Sequence, residues 1–170
     1  MCIRDRALVL GKPDIVQIDK KYAILVGIGS YFDDIISPLK YTVADVKLLH
    51  DILVDPARGG YNHESIRLLT DESSQSDLKP IRSNIMSQIS TLSSMASTKD
   101  ILLVYFSGHG IEKDGRSYLL SQDARYNIID DSAISVDWVK ETLVSSNARV
   151  KIMILDSCHS GAIKGKSDSG

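Results

Sequence analysis

Continuous apolar runs alternate with amphipathic stretches along this chain. Tyr22 to Ile28 (YAILVGI) is apolar throughout and is closed by Gly29-Ser30. A run of that length with β-branched members reads as a strand buried on both faces. From Thr42 to Leu53 the apolar positions are Val43, Val46, Leu49, Ile52 and Leu53, which is helical spacing, with Thr42 as the N-cap. Ser65 to Leu69 is a short strand ended by Thr70-Asp71. Leu78 to Ala96 carries Ile81, Ile85, Met86, Ile89, Leu92 and Met95, again at helical spacing. Asp77 precedes it as a cap, and Pro80 is tolerated in a first turn. Ile101 to Phe106 is a third apolar run. Gly115 to Leu120 pairs with Ile111-Glu112 in a small hairpin, Ser135 caps a helix to Leu143, and Val150 to Leu155 is a fourth core strand.

The order is therefore β-α-β-α-β-hairpin-α-β. Strands that alternate with helices predict an α/β fold with a mainly parallel sheet covered on both faces, a three-layer α/β/α sandwich. In such sheets functional groups gather in the crevice beyond the carboxyl ends of the strands. Residues 1–20 read as a partly disordered N-terminal extension, 21–163 as the folded domain, and 164–170 (KGKSDSG) as a flexible tail.

The 170 residues are 43% hydrophobic and 25% charged, enough for one good core. A net charge of −2 provides no broad basic field to recruit nucleic acid or an anionic membrane. No apolar run approaches the ~20 residues that cross a bilayer. Cys2 and Cys158 are the two cysteines. With Cys2 in a loose end, the pattern fits a reducing, cytoplasmic setting and a thiol free to react, against the plain reading of a buried small hydrophobe.

Two strand ends stand out. ILLVYFSGHG puts His109 between Gly108 and Gly110, and VKIMILDSCHSG puts Cys158 just past a second apolar run. The topology brings both to one edge, although 49 positions separate them. An imidazole can take a thiol's proton and later protonate a leaving amine. Glycines at both corners let backbone N–H groups approach a developing oxyanion.

The paired motifs YFSGHG and LDSCHSG, each after a hydrophobic strand, resemble those of caspase-fold cysteine peptidases. The Asp-Ser-Cys-His-Ser-Gly form is similar to the metacaspase branch. The resemblance spans roughly Lys21 to Ile163, the large-subunit portion of a catalytic domain, without the C-terminal strands. It implies a cysteine endopeptidase with His109 as general base and Cys158 as nucleophile. The backbone N–H groups of Gly110 and Cys158 would form the oxyanion hole. Cleavage would follow Arg or Lys, whose side chain is received by Asp156, Ser107 and Asp45. Asp45 lies in LKYTVADV, where Tyr41 and Thr42 stand in place of the family's Gly-Cys pair. The partners implied are protein or peptide substrates with basic residues and a C-terminal small-subunit segment. Lys164 and Lys166 are candidate self-cleavage sites.

Many metacaspases need calcium, and Asp123, Asp130 and Asp131 are the candidate ligands; solvated loop acids are the competing reading. Calcium takes six to eight oxygens, and this cluster is thin. No other cofactor is implied. A zinc site from His109, Cys158 and His159 lacks a fourth ligand. Gly27-Ile28-Gly29 lacks the third glycine of a dinucleotide loop, its place being taken by Phe32. His50 and His63 carry no assigned role. The rival functional reading is a catalytically silent caspase-like interaction module, or a fragment inactive without its C-terminal segment. In either case Val150 to Leu155 would present an unpaired strand edge.

Overall fold

The computed structural model describes residues 17–157. A four-stranded parallel sheet forms the centre, in the order β2-β1-β3-β7, from β1 (Lys21–Gly27), β2 (Ile66–Thr70), β3 (Ile101–Ser107) and β7 (Val150–Asp156). Register is continuous across it: Gly27 lies opposite Ser107, and Ser107 opposite Asp156. Helix α1 (Thr42–Val54) covers one face, where Val46, Leu49 and Leu53 pack on Ala23, Leu25 and Leu103. Helices α2 (Arg82–Met95) and α4 (Val136–Ser145) cover the other, with Ile85, Ile89, Leu92, Val139 and Leu143 against Ile24, Val26, Leu102 and Val104. Side chains alternate faces along each strand, so two apolar faces give two core clusters. The expected three layers are present.

Beside the main sheet stands a three-stranded antiparallel one, from β4 (Gly110–Lys113), β5 (Arg116–Leu119) and β6 (Ile134–Ser135). Asp114 and Gly115 turn the hairpin with φ of 51° and 74°. Positive φ at both central residues matches the right-handed twist of the flanking strands, which is why Asp-Gly occurs there. The short β6 and the single-turn helix α3 (Ile129–Ser132) were not foreseen in the pattern.

Two helix starts differ from the sequence reading. Thr42 is the first helical residue rather than the cap: Tyr41 holds the cap position, without a side-chain bond. The stretch from Leu78 to Ala96 is not one helix. A 3-10 turn covers Ser76–Leu78, and α2 begins only at Arg82. Pro80 is the cause, since its ring drives the preceding Lys79 into extended backbone (φ −69°, ψ 138°). Asp77 is therefore not the cap of α2. That task falls to Asp123, whose carboxylate accepts the Arg82 N–H at 2.8 Å from 41 residues away. Ser135 does cap α4, accepting the Trp138 N–H.

Among the described residues β7 is an outer strand. Met153 and Leu155 pack into the core, while Val150, Ile152 and Ile154, on the α1 side, remain 39%, 36% and 45% exposed. No helix among the described residues is long and apolar enough to cross a membrane.

Candidate active site

The carboxyl ends of β3 and β7 lie side by side. Past Ser107 the chain leaves the sheet through Gly108 and His109. Gly108 is required by packing, because a Cβ there would sit 2.9 Å from the Phe106 ring and 3.2 Å from the Tyr31 hydroxyl. The Gly108 N–H donates to the Asp156 carbonyl, tying the two strand ends together.

His109 is 4% exposed and is held from both sides by the loop that follows β1. Its backbone N–H donates to the Tyr31 hydroxyl at 2.8 Å, and Nε2 lies 2.8 Å from the Ser37 carbonyl. A carbonyl only accepts, so the proton of the neutral ring is assigned to Nε2, and Nδ1 keeps its lone pair. Burial lowers the imidazole pKa below its ordinary value, with the Ser37 carbonyl opposing. The ring is therefore neutral at physiological pH, the state a general base needs. Burial also raises the Tyr31 phenol; the His109 N–H works the other way and the Asp71 charge adds to the rise. Tyr31 is thus a neutral donor and acceptor.

Gly110 opens β4 opposite Leu119. The Leu120 N–H donates to the His109 carbonyl, which makes Gly110 and Leu119 a non-hydrogen-bonded pair. The Gly110 N–H therefore points away from β5. A Cβ on Gly110 would come within 2.9 Å of the Ser157 hydroxyl. The histidine corner is thus packed against the residue that immediately precedes Cys158.

A cavity of about 220 Å³ lies beside His109, between the first turn of α1 and the ends of β3 and β7. Asp45, Ser107 and Asp156 all line it, together with Thr42 and Lys40. Three positions far apart in the sequence share one small space because the first turn of α1 lies over the carboxyl end of β1, next to the ends of β3 and β7. Thr42 is 8% exposed, and its hydroxyl has no hydrogen-bond partner among the described residues.

Cys158 lies outside the described residues, as do His159, Gly161, Lys164, Lys166 and Cys2. The calcium candidates are engaged separately. Asp123 caps α2, Asp130 pairs with Lys113 and accepts the Tyr118 hydroxyl at 2.8 Å, and Asp131 is exposed. No group of three or more His, Cys, Asp or Glu side chains converges among the described residues. The three aspartates do not fit a calcium site as they stand. The His50 ring meets that of His63 edge-on, with centroids 5.1 Å apart.

Tyr31, Ser37 and Thr42 were missed as parts of the site. Tyr31 and Ser37 lie in the loop after β1, read only as a failed dinucleotide loop, yet that loop leaves the same carboxyl edge as His109. Their position alone was the available signal.

A parallel sheet between helical layers, with a Gly-His-Gly corner beside the Asp156 strand end on one edge and Cys158 two positions further along the sequence, defines a caspase-type α/β domain. This chain belongs to the caspase-domain family, whose model matches residues 20–170. It is 32% identical to Metacaspase-6 of Arabidopsis thaliana over 153 residues, covering 84% of this chain and 39% of that protein. Metacaspase-1 of Eremothecium gossypii is 29% identical over 151 residues, 82% of this chain and 32% of the relative. The chain thus spans well under half of these relatives' length. Among solved structures, protein GSU0716 from Geobacter sulfurreducens superposes with a TM-score of 0.63 at 19% identity, over 84% of this chain and 52% of that one. That likeness supports the shared fold alone.

Proposed function

We propose that this chain carries the catalytic half of a metacaspase-like cysteine endopeptidase that cleaves after Arg or Lys in a reducing, cytoplasmic setting. One observation carries the reading. His109, Asp45, Ser107 and Asp156 line a single cavity, and the chain from Asp156 leads directly to Cys158.

The chemistry follows from the groups present. His109 Nδ1 takes the Cys158 S–H proton, and the thiolate attacks the peptide carbonyl carbon. The resulting oxyanion is received by the N–H groups of Gly110 and Cys158. His109 returns the proton to the departing amine, leaving a thioester on Cys158. Water, deprotonated by the same imidazole, hydrolyses that thioester and frees the acid. Ser37 keeps the Nε2–H in place, so a single nitrogen handles the proton throughout.

Two carboxylates against the single ammonium of Lys40 leave the cavity net negative, which favours a guanidinium or ammonium through charge-assisted hydrogen bonds and disfavours an acidic side chain. The unpartnered Thr42 hydroxyl offers a further contact for a ligand N–H. Such a peptidase needs the small-subunit segment as partner. The exposed Val150, Ile152 and Ile154 row on β7 is the apolar surface that segment would cover. No step is assigned to calcium.

The test uses the protein expressed from its complete reading frame. Peptides with Arg or Lys before the scissile bond should be cut, and those with Asp should not. Cys158→Ala and His109→Ala should each abolish cutting. Cleavage that survives Cys158→Ala would refute the proposal. Intact masses of the same two proteins also test processing at Lys164 or Lys166, which must vanish in Cys158→Ala.

A further inference from the structure

Among the described residues Asp156 is exposed at the end of an outer strand, and an aspartate so placed has several rotamers open to it. A pocket that reads a planar guanidinium cannot leave its carboxylate free to turn, because bidentate pairing needs both oxygens in a set plane. The structure shows what restrains it. Tyr105 lies two residues before Ser107 on β3, on the same face of the sheet, and its hydroxyl donates to Asp156 Oδ2 at 3.3 Å. The Tyr105 ring packs partly buried against the cluster beneath α1. Its position is therefore fixed by the core, while Asp156 is exposed among the described residues.

We infer that Tyr105 is a positioning residue of this pocket, setting the plane of the Asp156 carboxylate for a basic side chain. The inference rests on the reading of the cavity as the site for Arg or Lys. It adds a residue that the three lining positions do not include. The surroundings of the phenol agree with this placement. Burial raises its pKa, the Asp156 charge and hydrogen bond raise it further, the Ser107 hydroxyl lowers it, and the Asp45 charge adds to the rise. Tyr105 thus feels both pocket carboxylates and stays protonated, able to donate. Losing the donor leaves the negative charge in the pocket but frees its orientation. The consequence falls on binding rather than on the chemical step. It is larger for the fork-shaped guanidinium than for the ammonium, a point charge indifferent to the carboxylate plane.

The experiment is Tyr105→Phe in the protein from the complete reading frame, assayed on matched Arg and Lys peptides. KM for the Arg peptide should rise about threefold to tenfold, as for loss of one partly exposed hydrogen bond to a charged group. KM for the Lys peptide should rise less, and kcat should stay unchanged for both. An unchanged KM, a fall in kcat alone, or equal rises for the two peptides would overturn the inference. A second measurement avoids turnover. The near-ultraviolet titration difference between the unmodified protein and Tyr105→Phe isolates one phenol among seven tyrosines. Benzamidine, a guanidinium-like cation, should lower that titration towards the ordinary tyrosine value of about 10 by neutralising the carboxylates. A titration that does not move would overturn it. If the unmodified protein shows no preference for basic residues, the pocket reading and this inference fall together. If that preference is present and Tyr105→Phe is neutral, only the inference falls.

Discussion

Gly27 ends β1 beneath the first turn of α1, and replacing it with alanine tests how the site is positioned. An added Cβ would lie 2.5 Å from Val46 Cγ2, 3.1 Å from Val46 Cγ1 and 2.7 Å from the Thr42 carbonyl oxygen. Carbon–carbon contacts are most favourable at about 3.5–4.0 Å, so the Val46 contact is short by about 1 Å. Val46 is fully buried and cannot swing aside, and the Thr42 carbonyl moves only if the helix moves. Overpacking of this kind costs about 1–3 kcal/mol. The alanine also restricts the unfolded chain, which returns about 0.4–1 kcal/mol. With contacts as short as 2.5 and 2.7 Å the cost falls in the upper part of its range, about 2–3 kcal/mol, and the net expectation is a loss of about 1–2 kcal/mol. For a domain of this size that lowers Tm by about 2–8 °C in a circular-dichroism melt. Adding Val46→Ala removes two of the three clashes but not the carbonyl one. The double variant should therefore lose less than the sum of the two single losses, with a coupling of about 0.5–3 kcal/mol. A Gly27→Ala melt within about 1 °C of the unmodified protein, or strict additivity in the double variant, would refute the packing argument.

Two further outcomes follow from the site. Thr42→Val removes a buried hydroxyl that has no partner among the described residues, so the fold should be unchanged or more stable by up to about 1 kcal/mol while KM for basic peptides rises; a clear loss of stability would show that the hydroxyl is satisfied in the fold. His109 has a lowered pKa in the folded state, so the unfolded chain binds more protons below its ordinary value of about 6.5. The contribution of the neutral ring is complete above that pH and is lost as pH falls through the folded pKa. The stability difference between the unmodified protein and His109→Gln, from urea melts, should shrink below about pH 6.5; a difference that is flat with pH would contradict the burial argument.

The sheet was legible because β1 and β3 are short continuous apolar runs, as burial on both faces demands, and β7 shares their apolar make-up although one of its faces is exposed. The hairpin was placed from Gly115 to Leu120 against Ile111-Glu112, but its Asp114-Gly115 turn, where backbone sterics select the residues, went unread. The start of α2 was not, because its N-terminal partner is Asp123, and a helix period contains no trace of a cap supplied from 41 residues downstream. The site was legible in so far as it sits at strand ends: His109 follows from topology, whereas Ser107 and Asp156 were reached only through the motif resemblance. The grip on the imidazole was hidden for the opposite reason. Ser37 acts through a backbone carbonyl, which any residue possesses, and Tyr31 acts through a loop whose path no periodicity encodes.

That grip has a mechanical consequence. The loop bearing Tyr31 and Ser37 is itself pinned by the Gly29 N–H and the Ser30 hydroxyl on Asp71, and by the Phe32 N–H on the Gln122 carbonyl. Its rim carries Phe32 and Ile35, 57% and 41% exposed. The aim of the imidazole is thus decided outside its own strand. A ligand that tugged on that greasy rim would be turning a lever whose short arm ends at the histidine.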